Sequence, residues 1–207
     1  MLITFVIPSY NQAYFIKECL DSILDQGLSK GIFEVIVIDG GSADRTVDIL
    51  EKHPVVTEWV SEPDLGHWDA LNKGIELATG DIIGILNSDD IFTDNFVLEK
   101  IAKFHLDNRI DASVGNITQF NKNKKIIRKY SAKNWHPDKL KIGFMPAHPS
   151  IFFKRDLFER YGNYKLDFVS GADYELIIRF FLKNKITWKF SNITTTSMLI
   201  GGISSSG

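Results

Sequence analysis

Cysteine is nearly absent from this chain of 207 residues: Cys19 stands alone. One thiol cannot close an intramolecular disulfide and falls short of the ligand sets of most structural zinc sites. A cytoplasmic location fits that usage best. Long hydrophobic runs are missing as well, and none approaches the roughly 18 residues of a membrane span. The opening "MLITFVIPSY" lacks the basic segment and longer apolar stretch of a signal peptide. Net charge is only −2, so no global field recruits nucleic acid and none is expected as a partner. The two common Gly-rich phosphate cradles, GxxxxGK(S/T) and GxGxxG, do not occur. Repeats and low-complexity segments are also lacking.

What is present is an ordinary globular composition, 44% apolar and 24% charged, in a chain long enough for one substantial domain. Charge is uneven in one place. Residues 121–141 carry eight Lys/Arg against a single acid, Asp138. A solvated hairpin and helix explains that run. So does a patch for anionic lipid head groups or a phosphate-bearing acceptor, which would add a peripheral contact with the inner face of the cell membrane.

The first half alternates strand and helix. "ITFVIPSY" is β-branched and aromatic and predicts a strand stopped by Pro8. Asn11 is a candidate N-cap for a helix to about Gln26, with Ile16, Leu20, Ile23 and Leu24 inward. "FEVIVIDGGS" is a continuous apolar run, as expected of a strand covered on both faces. Ser42 can cap the next helix, "VTEWVSEP" predicts a short strand, and "GHWDALNKGIELATG" predicts a helix closed by Gly80. In that helix Trp68, Leu71, Ile75 and Ala78 share one face. "DIIGILN" predicts a fourth strand and "NFVLEKIAKF" a further helix. This βαβα order implies a mostly parallel sheet flanked by helices.

In the second half "ASVGNITQFNKNKKIIRKY" predicts an antiparallel hairpin through "NKNK". "SIFFKR" predicts a strand, "DLFERYG" and "GADYELIIRFFLKN" helices, and "ITWKFSN" and "ITTTSMLI" two closing strands. The single domain 1–207 therefore divides into a nucleotide-binding half, 1–110, and an acceptor half, 111–207. The chain stops soon after its last predicted strand, so the domain is expected to be truncated there.

Polar residues gather at the predicted strand ends: Pro8-Ser9-Tyr10-Asn11, Asp39-Gly40-Gly41-Ser42 and Asn87-Ser88-Asp89-Asp90. Carboxyl ends of parallel strands share one rim, where α/β folds bind ligands. This rim is rich in carboxylates and poor in Lys/Arg. Adjacent acids would repel a diphosphate unless a divalent cation lay between them. Mg²⁺ or Mn²⁺ commonly bridges carboxylates to phosphate oxygens, so Asp89 and Asp90 are candidate metal ligands. Alternation along a strand would let only one of the pair ligate directly, with Asp90 preferred and Asp89 reaching a ribose hydroxyl. A helix cap by Asp90 or Ser88 is the plainer explanation.

Together "FVIPSYN", "VIVIDGGSADRT", "SEPDLGHWDALNKGIELATGDIIGILNSDD" and "GADYELIIR", in this order, resemble a bacterial family-2 glycosyltransferase with the GT-A fold. The resemblance covers nearly the whole chain and is strongest over 61–90. It implies inverting transfer of a sugar from a UDP- or dTDP-linked donor, with a divalent metal held at a DxD-type motif. Asn87 stands where some members have the first Asp. It further implies that Asp39 bonds the base, that Pro8, Ser9 and Tyr10 line base and ribose, and that Asp64, Gly66 and Asp69 lie where the fold closes over the donor. Asp173 matches the general base, and "GGISSSG" resembles a glycine-hinged lid. By analogy the resemblance implies a growing glycan, free or polyprenyl-linked, as acceptor for a cell-surface polysaccharide.

Several residues keep two readings. Asp173 at a helix N-terminus is also an ordinary first-turn acid, and Glu175 is the alternative base. Lys73 and Arg179 could steady the diphosphate or be surface charge. His148, between prolines, and His67 could contact diphosphate, acceptor or metal, or serve only as turn residues. A sugar-nucleotide nucleotidylyltransferase would want a basic, Gly-rich first loop, which residues 8–14 lack. A catalytically silent binding module would have lost Asp173 or the metal acids, and all are present.

Overall fold

A computed structural model describes residues 1–27 and 32–200 of the chain. The predicted "GGISSSG" lid lies outside the described residues. Four parallel strands, β1 (Ile3–Ser9), β2 (Phe33–Asp39), β3 (Glu58–Ser61) and β4 (Ile82–Ile85), lie in the order β3-β2-β1-β4. Their connections carry α1 (Ile16–Leu24), α2 (Thr46–Lys52) and α3 (His67–Leu77). The second half supplies β5 (Ile91–Phe92), α4 (Val97–Asn108), β6 (Ala112–Phe120), β7 (Ile126–Ser131), β8 (Ile151–Lys154), α5 (Asp156–Tyr161), α6 (Ala172–Ile177) and β9 (Trp188–Leu199). The sheet continues past β4 as β8-β6-β9-β5, with β7 beside β6. Here β8 runs antiparallel to both neighbours, and β6 and β9 are parallel. The result is a mixed α/β sheet whose first four strands are parallel.

Alternate residues of β1 and β2 feed two cores. Phe5, Ile7 and Val37 pack with Leu20 and Ile101 on one face. Val6, Ile36 and Ile38 pack with Leu71, Ile75, Phe153, Leu176 and Phe180 on the other. Each such fully buried side chain contributes about 1.5–3 kcal/mol.

Local differences from the predicted elements have identifiable causes. Pro8 does not stop β1, which runs on to Ser9. Ile3 N–H and Ser9 C=O bond toward β2, and Val6 C=O accepts from Leu86 on the β4 side. Pro8 therefore turns its missing donor to the β4 side, where the pairing of β1 with β4 ends at Val6 and Ile85. Asn11 is not an N-cap, and α1 starts only at Ile16. Asn11 adopts a left-handed φ of 51° and stitches two loops, its N–H to Ser42 Oγ and its Oδ1 from Ala43 N–H. Leu24, expected inward, is 45% exposed at the last turn of α1. Nor does Ser42 cap α2, which starts at Thr46, because its side chain is spent on Asp39. Gly80 is not the C′ residue of α3, whose cap is Ala78. It is needed instead for close approach: a Cβ there would lie 2.5 Å from Thr4 Oγ1. The two predicted closing strands are one strand, β9, kinked at Asn192 with φ 56°. The last long helix is α6 followed by a π-helical stretch, Ile178–Lys183, in which Asn184 N–H reaches back to Arg179 C=O.

Candidate active site

The parallel register sets the rim. Ser9 of β1 lies opposite Asp39 of β2, and Asp39 opposite Ser61 of β3. Ile85 of β4 lies opposite Val6, so the segment 86–90 emerges beside the end of β1. Ser9 is buried, and its Oγ has no hydrogen-bond partner among the described residues. A buried hydroxyl without a partner costs free energy unless a ligand completes it. Tyr10, next along, is 59% exposed, and Pro8 is buried.

Asp39 is fully buried. Its Oδ2 accepts from Ser42 N–H and Ser61 Oγ, and its Oδ1 from Ser42 Oγ. The turn it caps is thus real, and one lone pair of Oδ1 is left over. Gly40 lets the next loop close on this end of β2, since a Cβ there would meet Asp64 Oδ2 at 2.8 Å. Asp64 accepts from Gly66 N–H, and Asp69 from Leu65 N–H, so both acids order the entrance to α3. Lys73 lies between Glu62 (2.8 Å) and Asp69 (3.3 Å). Its charge is already matched within this loop, unlike that of a lysine kept free for a diphosphate.

Asp89 and Asp90 do not end a strand. They lie in a turn closed by Asp90 N–H to Asn87 C=O, so strand alternation does not divide their roles. Nor do they cap a helix, because β5 follows directly and α4 begins seven residues on. Asp90 is 2% exposed and Asp89 half-buried. Asn87 Nδ2 donates to Asp90 Oδ2 at 3.0 Å. Burial first, and the Asp89 charge second, push the Asp90 carboxyl up to about 8. Burial also raises Asp89. Among the described residues no Lys, Arg or His forms an ion pair with either acid. Two uncompensated acids side by side fit a divalent cation. No group of three or more His, Cys, Asp or Glu among the described residues could hold one alone, so ligand oxygens would have to complete the shell.

Asp173 lies in the first turn of α6, after Gly171 with φ 82°. Its Oδ1 accepts from Tyr174 N–H. His148 and Tyr164 lie within reach of its charge; burial first, and the Asp173 charge second, raise the Tyr164 hydroxyl, while at His148 the same charge opposes burial. For His148 burial outweighs that effect, so the imidazole is held below its ordinary value. His148 Nε2 bonds Tyr164 Oη at 2.7 Å. Tyr164 is itself clamped by α3: Asn72 bonds both its C=O and its N–H, and Trp68 stacks on its ring at 5.5 Å. His67 packs edge-on against Trp68 at 4.7 Å, on the exposed side. His148 thus belongs with Asp173, and Trp68 packs on a tyrosine rather than deep in the core.

Sequence reasoning missed Tyr164 and Asn72. They are 92 residues apart, and no local pattern links them. Arg179 is ruled out as a diphosphate contact. Its five N–H groups are all engaged, by Glu175 and by the carbonyls of Tyr161, Gly162 and Asn163. The same pairing, with Lys165 at 3.3 Å, holds the Glu175 carboxyl low despite its burial. Glu175 is therefore a poor alternative base.

The comparisons with known proteins concern the sequence and the fold. The family model "Glycosyl transferase family 2" matches residues 4–169. A "PGL/p-HBAD biosynthesis glycosyltransferase" of Mycobacterium bovis is 30% identical over 98% of this chain and 79% of its own length. The fold is shared with residues 1–349 of S. aureus TarS in complex with UDP-GlcNAc (TM-score 0.81, 20% identity, all of this chain and 61% of that one). It is shared too with a mannosyltransferase from Pyrobaculum calidifontis in complex with GDP-Man and Mn²⁺ (TM-score 0.73, 22% identity, 98% and 58%). This chain spans 37% of the longer TarS structure. By its family model and its sequence relatives, the chain belongs to glycosyl transferase family 2.

Proposed function

We propose that this domain transfers a sugar, with inversion, from a UDP- or dTDP-linked donor to a hydroxyl of a glycan or polyprenyl-linked glycan acceptor. The observation that carries this reading is the turn Asn87–Asp90: two acids with no cationic side-chain partner among the described residues, at the carboxyl ends of the parallel strands. Asp89 and Asp90 would hold Mg²⁺ or Mn²⁺, which when bound neutralises the charge of the leaving diphosphate. Asp89 is the more open of the two and would be the easier to reach from solvent. Ser9 Oγ and the remaining lone pair of Asp39 receive the nucleoside, between Pro8 and the exposed ring of Tyr10. Asp64 and Asp69 hold the loop that flanks the donor.

Asp173 takes the proton of the acceptor hydroxyl. The acceptor oxygen bonds the anomeric carbon as the bond from that carbon to the diphosphate breaks, and the electron pair leaves with the diphosphate. Tyr164 and His148 keep this end of α6 in register with the donor-side helix α3. UDP-GlcNAc in TarS, and GDP-Man with Mn²⁺ in the archaeal mannosyltransferase, support the donor class and the cation. The mycobacterial relative's glycolipid name supports a lipid-borne acceptor. The single free thiol, Cys19, is buried and suits a cytoplasmic enzyme.

The test is Asp173→Asn. UDP affinity should be kept while sugar transfer falls by about 10²–10⁴-fold. Transfer at the wild-type rate would remove Asp173 from the mechanism. A screen of nucleotide sugars for slow donor hydrolysis then picks out the sugar.

A further inference from the structure

The proposed reaction leaves one large face unused. On β7, every residue except Tyr130 is exposed. Ile126 and Ile127 are 53% and 54% exposed, where the pairing of β6 with β7 shifts register. Among the described residues β7 pairs only with β6. Of the cations around it, Lys124 pairs with Glu18 and Lys141 with Asp138. Lys122, Lys125, Arg128, Lys129 and Lys133 make no ion pair among the described residues.

This face continues to the mouth of the candidate site. Arg128 lies over the Tyr130 ring, whose centroid is 6.0 Å from that of Phe144, and Tyr130 Oη bonds Met145 C=O. Lys139 lies over the other aromatic, Phe144. The same turn is tied to α6 by Tyr174 Oη donating to Leu140 C=O, one residue from Asp173. Around this junction Ile142 is 82%, Leu166 48% and Val169 100% exposed. Exposed aliphatic side chains and unpaired cations therefore share the β6–β7 hairpin, and exposed aliphatic side chains continue to the loop before α6, where Lys141 and Lys165 are paired and Asp167 is exposed.

Either component alone would be unremarkable surface, but together they select an occupant. A polyanion such as nucleic acid would match the cations and leave Ile126, Ile127, Ile142 and Val169 in water. An apolar protein partner would strand the cations. Only an anionic bilayer offers phosphates at the depth of the Lys and Arg heads and hydrocarbon just below them. We infer that the face formed by β7, the 139–145 turn and the 165–170 loop docks on the surface of an anionic phospholipid bilayer. Docked this way, the N-terminus of α6 lies at the membrane, where a lipid-borne hydroxyl would be presented. That consequence rests on the functional reading above, whereas the docking itself does not.

Vesicle sedimentation tests the docking with the whole chain, using phosphatidylcholine alone or with 30% phosphatidylglycerol. Binding should need the anionic lipid and weaken between 0.1 and 0.5 M salt. Each Lys or Arg near such a surface is worth about a fivefold factor in affinity. The charge reversal Lys125→Glu/Arg128→Glu/Lys129→Glu should therefore weaken binding at least about 100-fold. Ile126→Ser/Ile127→Ser should weaken it severalfold. UDP binding should be unchanged in both variants, which shows that they are folded and separates this test from that of the active site. No binding to anionic vesicles would overturn the proposal, as would equal binding to neutral ones. Binding sensitive to the charges but indifferent to the isoleucines would reduce the face to a polyanion patch and overturn it as well.

Discussion

The two ends of the parallel strands each bury a carboxylate and treat it in opposite ways. At the amino end, Glu34 accepts from Thr4 Oγ1, Thr79 N–H, Thr79 Oγ1 and Gly80 N–H. Burial would raise its carboxyl, but these donors outweigh burial and lower it. At the carboxyl end, Asp90 has only the Asn87 amide and the Leu199 N–H as donors among the described residues, and burial still pushes its carboxyl up to about 8. Neither acid meets a cationic side chain among the described residues. One is finished by the fold, and the other is left for something the fold does not contain. Burial of a charge alone therefore does not mark a site, whereas burial with unfilled lone pairs does.

The comparison breaks if Glu34 proves dispensable. Glu34→Ala strips one acceptor from four donors, two of them backbone N–H groups at the sharp approach of Gly80 to β1. It should cost about 2–4 kcal/mol in denaturant unfolding and leave UDP affinity unchanged. A loss of nucleotide binding at wild-type stability would invert the assignment of the two ends.

Asp90 sharpens the comparison through pH. Without metal, the folded chain keeps a proton on Asp90 between its ordinary value of 3.8 and about 8, while the unfolded chain has released it. The folded state then binds more protons, so this contribution to stability is complete below about pH 4 and is lost as pH rises toward 8. In EDTA, Asp90→Asn should flatten that fall and gain on the order of 2 kcal/mol at pH 8. Wild-type stability that is level from pH 5 to 8 would contradict the account. The smallest effect is expected at Tyr164→Phe, which frees His148 Nε2. It should cost about 1 kcal/mol in stability and alter the pH profile of transfer more than UDP affinity.

The parallel half was legible because its information is local. β-branched runs and helical spacing mark β1 to β4 and α1 to α3, and the polar tetrapeptides at the strand ends mark the rim. Errors there came from residues whose partners are distant. Pro8 is tolerated only because β4 stops short, and Asn11 and Ser42 cap nothing because they bind across loops. Asp89 and Asp90 were found by their chemistry, but their turn was hidden by the apolar run before them. The second half was less legible. β5 is two residues long, β9 hides a kink inside one strand, and Arg179 looked free until its five partners were seen. The clamp of Tyr164 by Asn72 and Trp68 exists only in three dimensions.

The central claim is that Asp89 and Asp90 are completed by a divalent cation and a nucleotide diphosphate. Calorimetric titration of UDP, with and without Mn²⁺, into the wild type and Asp89→Ala/Asp90→Ala tests it most directly. The account predicts binding that requires Mn²⁺ and vanishes in the double variant, while the variant's unfolding transition is unchanged or moves up. UDP binding of equal strength without metal, or retained in the double variant, would contradict it.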